Sequence, residues 1–304
     1  KVYFSSESER RHVRSAFSRY LSPALVEDLA RDPARLRLGG ETRDLSIMFC
    51  DIRDFTKISE RYSPEDLTRL INRFLTPLTQ AILDRKGTID KYMGDCIMAF
   101  WNAPITVPGH AREACHAALA MLEALAALNR ELSAEAADTL RIGIGINTGS
   151  ALVGNLGSEQ RFDYSVLGDA VNLASRLEGQ SKTYGVAVLL NSNVVDSAPA
   201  MATLELDLVQ VVGKSEPARI FTLLGDETLG ASAAFQTLRA DQTRMLGAYR
   251  AREWDEACQV LEQLAQSGWD ALDGYFTMFR ERVQTFKVSP PGSDWDGVER
   301  RLTK

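Results

Sequence analysis

The pattern of apolar and polar residues predicts an α+β fold whose first half runs β-α-β-β-α-β on a largely antiparallel sheet, with further helices and strands appended. Three observations carry that prediction. Short apolar runs of strand length (LSIMFC, CIMAFW, RIGIGIN) alternate with stretches of helical spacing at residues 64–84 and 110–130. Gly94-Asp95 stands between GTIDKYM and CIMAFW, as at a hairpin tip. The strand-like pattern stops near Leu224, and only helical periodicity follows.

In order along the chain, Val13, Phe17, Leu21, Leu25 and Leu29 predict one or two amphipathic helices over residues 10–31, interrupted near Pro23. Pro33 and Gly39-Gly40 read as breakers ahead of a unit that starts at about Asp44. LSIMFC is its first strand, residues 64–84 a helix, GTIDKYM and CIMAFW a hairpin, and residues 110–130 a second helix. RIGIGIN and ALVGNLG read as two strands joined by a tight turn that their glycines permit, followed by a helix at residues 168–183. VAVLL, ATLELDLVQVV and RIFTLL add strands up to about residue 225. Residues 231–285 read as helices, and RMLGAYRAREWDEACQVLEQLAQ resembles one tetratricopeptide-like helix pair. A single such pair cannot bury its own apolar face and has to pack on the preceding unit or on a partner. SPPGSDWDGVERRLTK, with its breakers and lone Trp295, predicts a tail laid over the surface or disordered. The chain thus divides into segments 1–43, 44–225 and 226–304.

Composition narrows the chemistry. The 304 residues are 45% hydrophobic and 25% charged, ordinary for a globular chain. A net charge of -6 offers no global attraction to nucleic acid or anionic lipid, so an anionic substrate has to be held by local charges or a metal. Cys50, Cys96, Cys115 and Cys258 form no C-x-x-C pair, which fits reduced thiols in a cytoplasmic setting and argues against zinc. The longest apolar stretch, Ala117 to Leu128, is broken by Glu123 and too short to cross a bilayer. Lys1 in place of Met, with no signal-like segment after it, reads as a piece of a longer protein. That protein could be membrane-anchored, with this part on the cytoplasmic side.

Asp51 ends the apolar strand LSIMFC, and Asp95 occupies the hairpin tip in KYMGDC. Carboxylates at adjacent strand ends can converge, and Mg2+ characteristically takes one or two of them while phosphates and water complete its shell. Read singly, each is as well explained as a turn residue. Asn172 and Arg176, four apart in VNLASRLE, share one face of a helix. Arg can fork onto phosphate oxygens and Asn can hydrogen-bond a ribose. His12, His110 and His116 lack metal spacing, and the glycines of GIGIN match no phosphate loop.

FCDIRDFT, KYMGD, GINTGSALVGNLGS and DYSVLGDAVNLASRLE, in that order, resemble the motifs of the class III adenylyl and guanylyl cyclases. The resemblance spans roughly residues 44–225. It implies a ferredoxin-like cyclase homology domain with flanking helices that turns ATP into 3′,5′-cyclic AMP and pyrophosphate. It also implies two divalent ions (Mg2+ or Mn2+) at Asp51, Ile52 and Asp95, transition-state stabilisation by Asn172 and Arg176, and base and triphosphate binding by Lys91, Ser165 and Lys214. Because the family's site lies between two such domains and this chain has one, a homodimer is expected, with an upstream sensor coupled through residues 6–31.

Departures from the family pattern are Ser165 where Asp or Thr is common, Ser150 where an Arg can stand, Val212 for a frequent Lys, and Asp54 for a frequent Gly. Asp54 reads as a loop charge outside the site. An ammonium only donates, so Lys91 suits adenine N1 and opposes guanine N1–H, whereas the Ser165 hydroxyl can serve either base. Three rival readings stand beside this one: a guanylyl cyclase acting on GTP, a diguanylate cyclase, whose GGDEF hairpin KYMGDC does not match, and a non-catalytic nucleotide-binding or dimerisation module.

Overall fold

In a computed structural model of the chain, which describes residues 38–135, 137–210 and 217–300, a nine-stranded mixed sheet forms the frame. The helices expected over residues 10–31 lie outside the described residues. Strand β1 (Gly39–Ile52) pairs on one side with β3 (Cys96–Trp101) and on the other, along its whole length, with β4 (Ile142–Gly157). β2 (Thr88–Met93) closes that edge. On the far side of β4 come β6 (Val188–Asn191), β8 (Ala218–Gly225), β7 (Ala202–Gln210) and the short β9 (Glu299–Arg300), while β5 (Phe162–Leu167) pairs with the outer half of β4.

Alternation along β1 explains the layers. Leu45, Ile47 and Phe49 enter one core and Met48, Cys50 and Ile52 the other, so the central strand is apolar on both faces. Helices α2 (Pro64–Asp84) and α3 (His110–Ala134) cover the second face, after the five-residue α1 (Phe55–Ser59). α2 begins at Ser63, whose hydroxyl accepts from the Asp66 N–H, with Pro64 at the first helical position and Glu65 and Asp66 at the positive end of the helix dipole. Leu70, Phe74, Leu78 and Ile82 form its buried stripe. α4 (Asp169–Ser181) covers the opposite face through Ala170, Val171 and Ala174.

Two readings of the glycines are corrected. RIGIGIN and ALVGNLG form one continuous strand, not two strands and a turn. Gly145 serves helix packing there, since a Cβ on it would lie 2.2 Å from the Glu178 amide nitrogen and 2.3 Å from the Ala174 carbonyl oxygen of α4. Gly39-Gly40 is likewise no breaker. It opens β1 opposite Asn155 and Gly154, and a Cβ on Gly154 would fall 2.3 Å from the Gly39 carbonyl oxygen.

After β6 and the short α5 (Ser192–Ser197), the last strands carry a helical layer formed by α6 (Glu227–Ala231), α7 (Ala233–Arg250), α8 (Trp254–Ala265) and α9 (Asp273–Val288). The expected helix pair is α7 with α8. It shares a core with the sheet: Leu204, Leu206, Val209 and Ile220 cluster with Phe235, Leu238, Met245 and Tyr249 of α7, Val260 and Leu261 of α8, and Phe279 of α9. Inside this core the Asp207 carboxylate accepts from Tyr184 Oη at 2.8 Å and Arg282 Nη1 at 2.6 Å. As far as residue 300 the tail is laid over the surface, with Trp295 against Tyr249 and Trp254, before β9 pairs with β7. Among the described residues, no helix is long and apolar enough to cross a membrane.

Candidate active site

Antiparallel pairing of β1 with β3 puts the end of β1 beside the start of β3, because Cys50 lies opposite Ile97. Asp51 therefore meets Asp95, which the two-residue Gly94-Asp95 turn presents between the paired residues Met93 and Cys96. The two carboxyls share a hydrogen bond, and Asp51 also accepts from the Ile52 amide at 2.9 Å. Burial, together with the hydrogen bond to Asp51 and its charge, raises the Asp95 pKa to about 7. Two neighbouring carboxyls at a strand end and a hairpin tip are a hard-oxygen donor set that fits a divalent ion. The buried Ile52 has only a main-chain carbonyl to offer. No group of three or more His, Cys, Asp or Glu side chains converges among the described residues.

Two residues near this pair escaped the sequence reading. Glu178 on α4 has its pKa raised to about 7 by burial and by the charge of Asp51, against the pull of Arg53. Arg53 Nη2 reaches across to α4, donating to Ser181 Oγ at 2.7 Å and to the Val186 carbonyl at 2.9 Å. The carboxylate-bearing strand end is thereby tied to the helix that carries Asn172 and Arg176. Helical spacing would have placed Glu178 on α4, but nothing in the sequence shows that α4 packs near Asp51.

Lys91 and Ser165 come together from β2 and β5, with Lys91 Nζ 3.4 Å from Ser165 Oγ. Asp90, also unanticipated, lies beneath them: Ser165 donates to its Oδ2 at 2.6 Å, and Lys91 Nζ is 3.1 Å from its Oδ1. Asn172 and Arg176 both lie on the exposed side of α4. Lys214 and Val212 fall outside the described residues. Asp54 pairs with Lys182 at 2.6 Å and Arg141 at 3.3 Å, as befits a loop charge. His110 bonds Ser46 Oγ, and His116 bonds Glu227.

With this geometry in place, similarity to known proteins decides the family. The profile of the Adenylate and Guanylate cyclase catalytic domain matches residues 40–224. The chain belongs to that family. Among relatives, Adenylate cyclase 1 of Rhizobium meliloti is 38% identical over 184 residues, covering 60% of this chain and 28% of its own. The adenylate cyclase of Anabaena cylindrica is 36% identical over 229 residues, covering 73% of this chain and 43% of its own. The chain thus spans less than half the length of these curated relatives. The adenylyl cyclase CyaB of P. aeruginosa is 34% identical with a TM-score of 0.59, over 62% of this chain and 97% of that structure. The guanylyl cyclase Cya2 is 32% identical with a TM-score of 0.56, over 62% and 95%. The expected cyclase fold is therefore the observed one, and divalent-metal dependence is general in the cyclase family.

Proposed function

We propose that this catalytic domain is an adenylate cyclase, a phosphorus-oxygen lyase that closes ATP to 3′,5′-cyclic AMP with release of pyrophosphate, at sites shared by two chains of a homodimer. The observation that carries the choice of nucleotide is the contact between Lys91 and Ser165, with the lysine as donor and no Glu at its position. Lys91 donates to adenine N1, and the N1–H of guanine would meet that ammonium donor to donor.

In the proposed site Asp51 and Asp95 of one chain, with the Ile52 carbonyl, would hold two divalent ions. When bound, these supply activation of the ribose 3′-hydroxyl and neutralisation of the phosphate charge. Lys91, Ser165, Asn172, Arg176 and Lys214 of the other chain hold the nucleotide. Asn172 positions the ribose, Arg176 forks onto the α-phosphate as negative charge grows there, and Lys214 takes the triphosphate. The hydroxyl attacks in line, and positioning with charge stabilisation provides most of the catalysis.

Support for the dimer comes from an apolar surface. Leu152 and Leu167 pair across β4 and β5 and are exposed, Leu167 by 57%, as are Tyr92 and Met93 of β2. Side chains of this kind are what a two-fold interface covers. An upstream sensor acting through residues 6–31 completes the proposal.

The comparable similarity to a guanylyl cyclase makes GTP the second reading. The purified chain is incubated with Mn2+ or Mg2+ and either ATP or GTP, and the product is identified. Cyclic AMP in excess is expected. Cyclic GMP in excess overturns the adenine assignment, and no cyclic product from either nucleotide favours a non-catalytic module.

A further inference from the structure

Neighbouring residues on a regular strand point to opposite faces, so Asp90 and Lys91 should not be able to serve one site. They do because β2 carries a bulge between Ile89, which pairs with Ala99, and Lys91, which pairs with Met98. Asp90 is the extra residue, and the bulge re-aims its side chain toward Ser165 on β5. The Asp90 side chain is completely buried. Its Oδ2 takes the Ser165 hydroxyl at 2.6 Å, and Lys91 Nζ lies 3.1 Å from its Oδ1. Burial pushes this carboxyl up, while Ser165, Lys91 and the Val166 amide pull it back toward the ionised form.

A serine hydroxyl has one hydrogen to give and lone pairs to receive with. When the hydrogen is committed to a buried carboxylate, only acceptor capacity is left for a ligand. We propose that Asp90 is a specificity-determining positioning residue, which fixes Ser165 as a hydrogen-bond acceptor so that the site takes the 6-amino group of adenine and rejects the 6-oxo group of guanine. The inference rests on the adenylate cyclase reading above, and it removes the ambivalence that a lone serine has. Lys91 refuses guanine at N1, and the Asp90–Ser165 pair refuses it at the adjacent oxygen, where an acceptor would face an acceptor. Through its contact with the ammonium, the same carboxylate also orients Lys91 toward the base.

The test is the ratio of kcat/KM for ATP to that for GTP, measured in wild type, Asp90→Asn, Ser165→Ala and the double variant. Asp90→Asn frees the hydroxyl hydrogen for guanine O6, and the ratio is expected to fall about ten- to a hundredfold. A purely structural defect lowers both nucleotides together and leaves the ratio in place. Because Asp90 acts through Ser165, Asp90→Asn in the Ser165→Ala background should move the ratio by no more than about twofold. An unchanged ratio in Asp90→Asn, or an equal fall in both backgrounds, overturns the proposal. If Asp90→Asn does not fold, Ser165→Ala alone decides, since undiminished preference for ATP without the hydroxyl also overturns it. Should the wild type make no cyclic product, the adenylate cyclase reading falls, and the ratio of dissociation constants for ATP and GTP decides the role of Asp90 by the same criteria.

Discussion

Arg282 Nη1 and Asp207 Oδ2 lie 2.6 Å apart, almost wholly buried, and join the last long helix to strand β7. The Arg282 guanidinium also sits 4.9 Å from the centre of the Phe279 ring. Although burial opposes its charge, the neighbouring Asp207 holds the Arg282 pKa above the ordinary range. Removing one member of such a pair strands the other as an uncompensated buried charge. Asp207→Ala is expected to destabilise the protein by about 3–5 kcal/mol, whereas replacing both by apolar residues of similar volume should cost far less. Denaturant titration of the two variants checks this, and equal losses would count against it.

Gly145 is predicted to be intolerant of any side chain. The methyl of Gly145→Ala would overlap the α4 main chain, which cannot yield as a flexible side chain can. A loss of about 1–3 kcal/mol is expected, along with weakened catalysis, because the helix that shifts bears Asn172 and Arg176. Thermal melting and cyclase assays of that variant, with Gly179→Ala as a control where a Cβ meets nothing within 4 Å, provide the comparison.

The carboxyls near Asp51 are expected to make stability depend on pH and, if they hold a metal, on divalent ions. Burial and the charge of Asp51 raise both Asp95 and Glu178 to about 7 in the folded chain, above the ordinary carboxylate range of about 4. The folded state therefore binds more protons between those limits, and stability without metal should fall as pH rises through that window and level off above it. Mg2+ should offset the fall, with its stabilising effect larger at high pH than at low pH. Melting temperatures in chelator and in Mg2+ across the window test the sign. Asp95→Asn should flatten the metal-free slope, and a slope identical to wild type would reject Asp95 as its source.

If the sites are shared, Asp51→Ala and Arg176→Ala should each abolish activity, and mixing them should restore it in heterodimers that retain one intact site. The assay is cyclase activity of the remixed variants, with heterodimer formation verified by a differential tag. A dead mixture with heterodimers present would refute the shared site.

Legibility in the sequence followed the physics of each element. β1, the β2–β3 hairpin and α2 to α4 were readable because burial imposes their period and Gly94-Asp95 suits the turn. β4 departs from the two strands its glycines suggest because glycine has the same appearance whether it bends a strand or admits a helix, and only the position of α4 distinguishes the two. β5, half exposed and short, carries too little periodicity to read as a strand, although its residues lie in a family motif. Asp51 and Asp95 stood out as strand-end carboxylates. Asp90 did not, since a bulge leaves no trace in periodicity. Nor did Glu178, whose nearness to Asp51 is a matter of packing.

The helical layer beyond residue 225 also constrains descent. Its helices lie outside the span that the family shares, yet Leu204 and Leu206 on β7 and Tyr184 beside it are fully buried. A relative whose chain stops at the last shared strand would present those positions to water. Lineages without such helices should therefore carry polar residues there, so a substitution pattern at three sites would record when the covering segment was gained or lost.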